Sequence, residues 1–213
     1  MGRYGPCRVG YDLGMSGDAA HTTEREFPSL APDVVEGYRT APETMVAEIL
    51  DGALSLRPRP RLGHATAAEG LSEELGPPFR RGRGGPGGWV ILPEPELHLG
   101  PLPDVLVPDL AGWRRERLPD GFIAGAFASV APDWCCEVLS PSTERVDRGR
   151  KLSIYHREGV GHVWLVSPTL RSVEVYRRAD IGWLLLATFE GDALVRAEPF
   201  DAVPIDLAGL WAL

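Results

Sequence analysis

A chain of 213 residues with 44% hydrophobic side chains can bury one full core and a small appendage. Its formal net charge of −8 argues against a protein that coats nucleic acid through a generally basic surface, yet leaves room for a nuclease whose metal site gathers carboxylates. No apolar run reaches the roughly 18 residues of a membrane-spanning helix, and the opening MGRYGPCRVGYDLGMSGDAAHTTEREF lacks the apolar segment of a secretory signal.

Residues 1–40 contain Gly, Pro and Ser with little periodicity and predict a poorly ordered extension before a single domain over residues 41–213. Met15 opens MSGDAA, which looks like an ordinary protein start, so residues 1–14 read as an added extension. TMVAEILDGALSLRPRP predicts a short helix or turn leading into a hairpin, with Asp51-Gly52 as the turn. HATAAEGLSEEL, residues 64–75, predicts a helix stopped by Gly76 and the two prolines after it. FRRGRGGPGG follows as a flexible loop.

GWVILPEPELHL, DVLVPDLAGW and DWCCEVLS then read as strands between Pro, Gly and Asp. RGRKLSIYHREG predicts a helix ending at Gly159, and HVWLVSP, SVEVYRR and GWLLLATFEG predict three more strands, the first two joined by a turn over residues 168–171. This order gives an α/β fold, a mixed sheet flanked by helices. Cys7, Cys135 and Cys136 form neither a disulfide framework nor a zinc pattern and read as reduced thiols of a cytoplasmic protein.

Two strands carry an acid where apolar residues are expected. Alternation in DWCCEVLS places Cys135, Glu137 and Leu139 on one face and Trp134, Cys136 and Val138 on the other. Asp109 directly follows Val105, Leu106, Val107 and Pro108. A buried carboxylate is costly unless paired or bound to a metal, and two acids on neighbouring strands suit a hard cation such as Mg²⁺, with Mn²⁺ as substitute. Lys151, the only lysine in the chain, follows on the next helix, where its stem reaches back towards the strand end. A lysine beside a metal orients the attacking water and stabilises phosphate charge. Taken singly, each residue has a plainer reading: a cap for Asp109, an arginine partner for Glu137, a solvated helix face for Lys151.

VPDLAGW and PDWCCEVLSPSTERVDRGRKLSIYHREGVGHVWLVSP resemble the Uma-two family of restriction-endonuclease-like proteins, within the PD-(D/E)XK nuclease superfamily, and the resemblance spans roughly residues 42–211. It implies a metal-dependent nuclease core of restriction-endonuclease-like fold, with Asp109 as the motif aspartate and Glu137 as its second acid. The superfamily's E-x-K pattern would place lysine at position 139, where Leu139 stands; the resemblance implies that Lys151 takes over that role. Arginine is a poor substitute because it stays protonated and presents a wide fork.

Around this trio stand lesser candidates. Glu96 shares a face with Glu94 by alternation and is a candidate third acid. Either Glu48 or Glu69 would supply the acid that many superfamily members carry on the first helix. His64 either faces the cleft or caps that helix, and Tyr155 and Trp164 read as core. Trp113, beside Arg114 and Arg115, reads as packing or as a base-stacking platform. The leading reading is a Mg²⁺-dependent endonuclease acting on DNA, with a homodimer expected from duplex symmetry and loops 77–88 and 111–131 as recognition elements. Its rivals are a catalytically inactive nucleic-acid-binding or protein-interaction module on the same fold, and a hydrolase of another phosphodiester such as RNA.

Overall fold

Asp51 and Gly52 both take left-handed backbone angles, φ 49° and 74°, and fold β1 (Met45–Leu50) back on β2 (Ala53–Pro58). Two successive positive φ values match the twist of a two-residue hairpin, which is why an Asp-Gly pair marks it. Of the short helix or turn expected to lead in, the turn forms, at residues 43–44, and residues 45–50 are strand. The computed structural model describes residue 27, residues 29–101 and residues 103–212; residues 1–26 of the expected extension lie outside them. Within the rest of that stretch, α1 (Pro32–Arg39) is a regular helix. Its Val34, Val35 and Tyr38 pack with Phe27 on Ile49 and Val105, so the boundary expected at residue 40 gives way to a helix docked on the hairpin. Eight residues are too few for periodicity to announce it.

GWVILPEPELHL and DVLVPDLAGW each form two strands instead of one. The first gives β3 (Trp89–Pro93) and β4 (Leu97–Leu99), the second β5 (Asp104–Leu106) and β6 (Leu110–Arg114). Proline cannot donate to a ladder, and each break coincides with one: Pro93 and Pro95 flank Glu94, itself at φ 42°, and Pro108 precedes Asp109. In both cases the chain passes from one sheet to the other. Strands β2-β1-β5-β4 form an antiparallel sheet of four.

The second sheet has six strands, in the order β10-β9-β8-β7-β6-β3, with β7 (Trp134–Val138), β8 (His162–Ser167), β9 (Ser172–Arg178) and β10 (Trp183–Glu190). Only the β7–β8 pair is parallel, and its crossover is the helical segment α3 (Glu144–Val146), a wider π turn over Asp147–Lys151, and α4 (Leu152–Arg157). A short β11 (Leu194–Val195) and β12 (Ile205–Asp206) and the terminal α5 (Ala208–Trp211) complete the chain.

Alternation along β7 divides the core as expected. Trp134, Cys136 and Val138 join α2 (Leu62–Leu75), α5 and Phe200 on one face. Cys135 and Leu139 join α4 and the inner face of the four-stranded sheet, through Leu50, Leu97 and Leu106, on the other. Glu137 belongs to that second face, so its carboxylate points between the sheets. The result is a mixed α/β fold with helices on both faces of the larger sheet. Among the described residues no helix is long and apolar enough to cross a membrane.

Candidate active site

Each acid arrives at this inter-sheet space by the geometry of its own element. Glu48 alternates with Leu50 on the inward face of β1, while Ile49 points back to α1. Asp109 sits where the chain crosses from β5 to β6, and Glu137 near the end of β7. Lys151 closes the π turn, a widening of the helix that is found often at functional sites. The acids and Lys151 are buried, with Lys151 and Glu48 wholly inaccessible.

Lys151 Nζ lies 3.0 Å from Glu48 Oε1, 3.1 Å from both oxygens of Glu137 and 3.6 Å from Asp147 Oδ1. Tyr155, one turn later, donates its hydroxyl to Glu137 Oε1 at 2.5 Å. Glu48 is fixed twice more, by Arg57 Nε at 3.2 Å and by the Val107 amide at 2.8 Å. Asp109 is held by His64 Nε2 at 2.8 Å and by the Val138 amide at 2.6 Å. The expected trio is thus in one place, although Asp109 reaches it through β7 and His64 instead of through Lys151.

Four buried carboxylates, Glu48, Asp109, Glu137 and Asp147, face two permanent cations, Arg57 and Lys151. The imbalance appears in the titration of the groups. Burial, reinforced by Asp147 and Asp109, pushes Glu137 up to about 8 against the pull of Lys151. Burial also raises Asp147. Burial alone would raise Asp109 too, but the His64 bond, Lys151 and the Val138 amide hold it below its ordinary range. For Lys151 burial favours the neutral amine, and Glu137 and Glu48 overcome it, so the ammonium is retained.

The remaining candidates fall in different places. Of the two candidates for the further acid, Glu48 is in the cluster, on a strand and not on a helix; Glu69, exposed on α2, lines a pocket of about 290 Å³ that Asp109 and His64 also border. His64 faces the site. Glu96 is engaged elsewhere, bonded to His98 Nε2 at 2.6 Å and to Tyr38, and the sharp backbone at Glu94 cancels the alternation that paired the two acids. Trp113 is fully buried, its indole N–H on the Val130 carbonyl, and offers no face to a base. Tyr155 is core by its ring and site by its hydroxyl. Asp147 and Arg57 carry no signal in the sequence beyond their spacing from Lys151 and Glu48.

The family model Uma2, described as a putative restriction endonuclease, matches residues 31–208. Among solved structures, a putative nuclease belonging to DUF820 from Anabaena variabilis aligns with a TM-score of 0.64 at 20% identity, covering 84% of this chain and 96% of that one, a likeness of fold. No curated protein matches the chain.

Proposed function

Because the chain belongs to the Uma2 family, described as putative restriction endonucleases, we propose that the buried cluster hydrolyses DNA phosphodiester bonds with Mg²⁺, or Mn²⁺ in its place. The observation that carries this reading is the seating of the chain's only lysine, wholly buried, against Glu137 and Glu48. Carboxylates suit a hard cation, and Asp109 and Glu137, with Glu48 beside them, are the residues that would hold it. Among the described residues no three such side chains stand in metal-binding geometry as they are, and the oxygens of Asp109 and Glu137 are taken by protein donors that a cation would have to displace. Bound there, Mg²⁺ would supply Lewis-acid stabilisation of phosphate charge and a more acidic water.

The protein's own groups do the positioning. His64 and the Val138 amide fix both oxygens of Asp109, so its carboxylate plane is set before any ligand arrives. Tyr155 and Lys151 do the same for Glu137. Lys151, a compact charge held by three acids, can trade one of those partners for a phosphate oxygen and place its N–H donors on the attacking water.

Supercoiled plasmid, linear duplex, single strands and RNA, each incubated with Mg²⁺ or Mn²⁺, test the assignment. Wild type should nick duplex DNA, and Asp109→Asn and Glu137→Gln should each lower the rate by about 100-fold or more. Activity unchanged in both variants would sink the reading. One observation favours a second reading: Asp109, Glu48, Glu137 and Asp147 all already have protein partners, as in a static ion network. Duplex binding with no cleavage in either metal supports that inactive, nucleic-acid-binding module.

A further inference from the structure

Beside the cluster lies a cleft of about 250 Å³ between residues 57–61, which join β2 to α2, and residues 140–143, which follow β7. Arg57, Arg59, Arg61 and His64 form one wall, and Ser142 and Thr143 are on the other. No acidic side chain lines it, although the protein carries a net charge of −8. Pro58 and Pro60 alternate with the arginines and stiffen the segment that presents them. Helix α2 starts directly after this segment, with no side-chain cap and no acid in its first turn.

Two arginines have donors to spare. Arg57 is only 9% exposed and uses Nε on Glu48 and Nη2 on the Val107 carbonyl, while its Nη1 has no partner among the described residues. Arg61 is exposed; its carbonyl accepts the Ala65 amide, and its guanidinium forms no hydrogen bond or ion pair among the described residues. The cleft is also wired to the cluster: Arg57 bonds Glu48, His64 bonds Asp109, and the Thr143 hydroxyl bonds Asp147. Three of the four buried carboxylates are therefore held by a residue of this cleft.

We propose that this cleft binds a backbone phosphate of the nucleic acid, adjacent to the phosphate on which the cluster acts. The assignment rests on the nuclease reading for its ligand class, and the arrangement explains why basic side chains concentrate here in an acidic protein. A phosphate bound in the cleft would fix the register of the strand, and its bond to Arg57 would reach Glu48 directly.

Fluorescence anisotropy with a labelled DNA duplex in EDTA tests binding apart from cleavage. Arg59→Ala/Arg61→Ala, two exposed positions outside the cluster, should weaken binding about tenfold and flatten the salt dependence by about one unit of slope for each phosphate no longer neutralised. Arg171→Ala/Arg196→Ala, the same charge change elsewhere on the surface, should leave affinity within about twofold. Equal losses in the two double variants, no loss in the first, or no duplex binding by wild type would each overturn the proposal. Calorimetry with inorganic phosphate is the second arm: affinity matching that for duplex would assign the cleft to a free anion and overturn the nucleic-acid assignment. Weakened binding in Arg59→Ala/Arg61→Ala alongside a wild type inert with both metals would keep the subsite and remove the nuclease reading.

Discussion

Lys151 holds together acids that would otherwise repel one another. Its replacement by methionine keeps much of the volume but leaves Glu48, Glu137 and Asp147 buried with one cation fewer. Removing one partner from a buried ionic group costs about 3–5 kcal/mol, and urea unfolding of Lys151→Met should show a loss of that order at neutral pH. Lys151→Arg restores the charge, but a planar fork cannot take the place of a point surrounded on three sides at 3.0–3.6 Å. It should recover part of the stability and little of the cleavage. Glu137 makes a separate prediction for metal-free protein. Its folded value, about 8, lies above the ordinary 4.5, so folding takes up a proton between those limits. The stability from this group is fully present below about pH 4.5 and is lost as the pH rises through about 8. Unfolding free energies in chelator at pH 5, 6.5 and 8 should therefore fall, and Glu137→Gln should flatten the fall; equal slopes would refute the shift. At this scale Asp109, Glu137 and Lys151 are legible in the sequence because each is a polar anomaly in its stretch. Glu48 is not separable from Glu69 there, since the choice depends on β1 lying across from β7, a neighbour distant in sequence. Tyr155 reads as core by its ring, and only its hydroxyl belongs to the site.

Two elements meet backbone to backbone where α5 crosses α2 at Gly70. A Cβ built there would stand 2.6 Å from the Gly209 carbonyl oxygen and 3.0 Å from Leu210 Cα, both backbone atoms that cannot rotate away. In an isolated helix Gly→Ala would gain roughly 0.5–1 kcal/mol, whereas overpacking a core site costs about 1–3 kcal/mol. The clash should win. Gly70→Ala should be destabilised and its C-terminal segment cleaved more readily in limited proteolysis, while Gly63→Ala, with nothing within 4 Å of the added carbon, should show neither effect. The body of helix α2, the 51–52 hairpin and the strand faces of β7 are readable from composition and alternation. The stop expected at Gly76 does not hold, since a π turn over Gly76–Arg80 continues through both prolines into the start of the expected loop. The division of two apolar runs into four strands is not. Proline marks where each ladder has to stop, but nothing local shows that the chain changes sheets there. That change of sheet is what carries Asp109 to Glu137, so the site's assembly is a property of topology.

Across the whole molecule the cluster is also a joint. Glu48 and Arg57 come from the four-stranded sheet, Glu137 from the six-stranded sheet, Asp109 from the crossing between them, and Lys151 and Asp147 from the crossover helix. A cation bound among these acids would therefore link both sheets and would favour only the folded chain, because the acids converge only there. Linkage gives about 2.7 kcal/mol at a ligand concentration 100-fold above Kd, or about 5–10 °C in Tm for a domain of this size. Thermal unfolding with saturating Mg²⁺ or Mn²⁺ should show a rise of that order in wild type, and none in Asp109→Asn/Glu137→Gln. Glu137→Gln relieves crowding around Arg57 and Lys151, whereas Asp109→Asn gives up the bonds that hold the ionised carboxylate to His64 and the Val138 amide, so the metal response of the double variant is read against its own metal-free Tm. A variant that lost stability without metal yet kept the full metal response would place the cation elsewhere. A wild type indifferent to both metals at millimolar concentration would mean that Arg57 and Lys151, with protons on Glu137 and Asp147, already balance the cluster, and the acids would then serve as the joint alone.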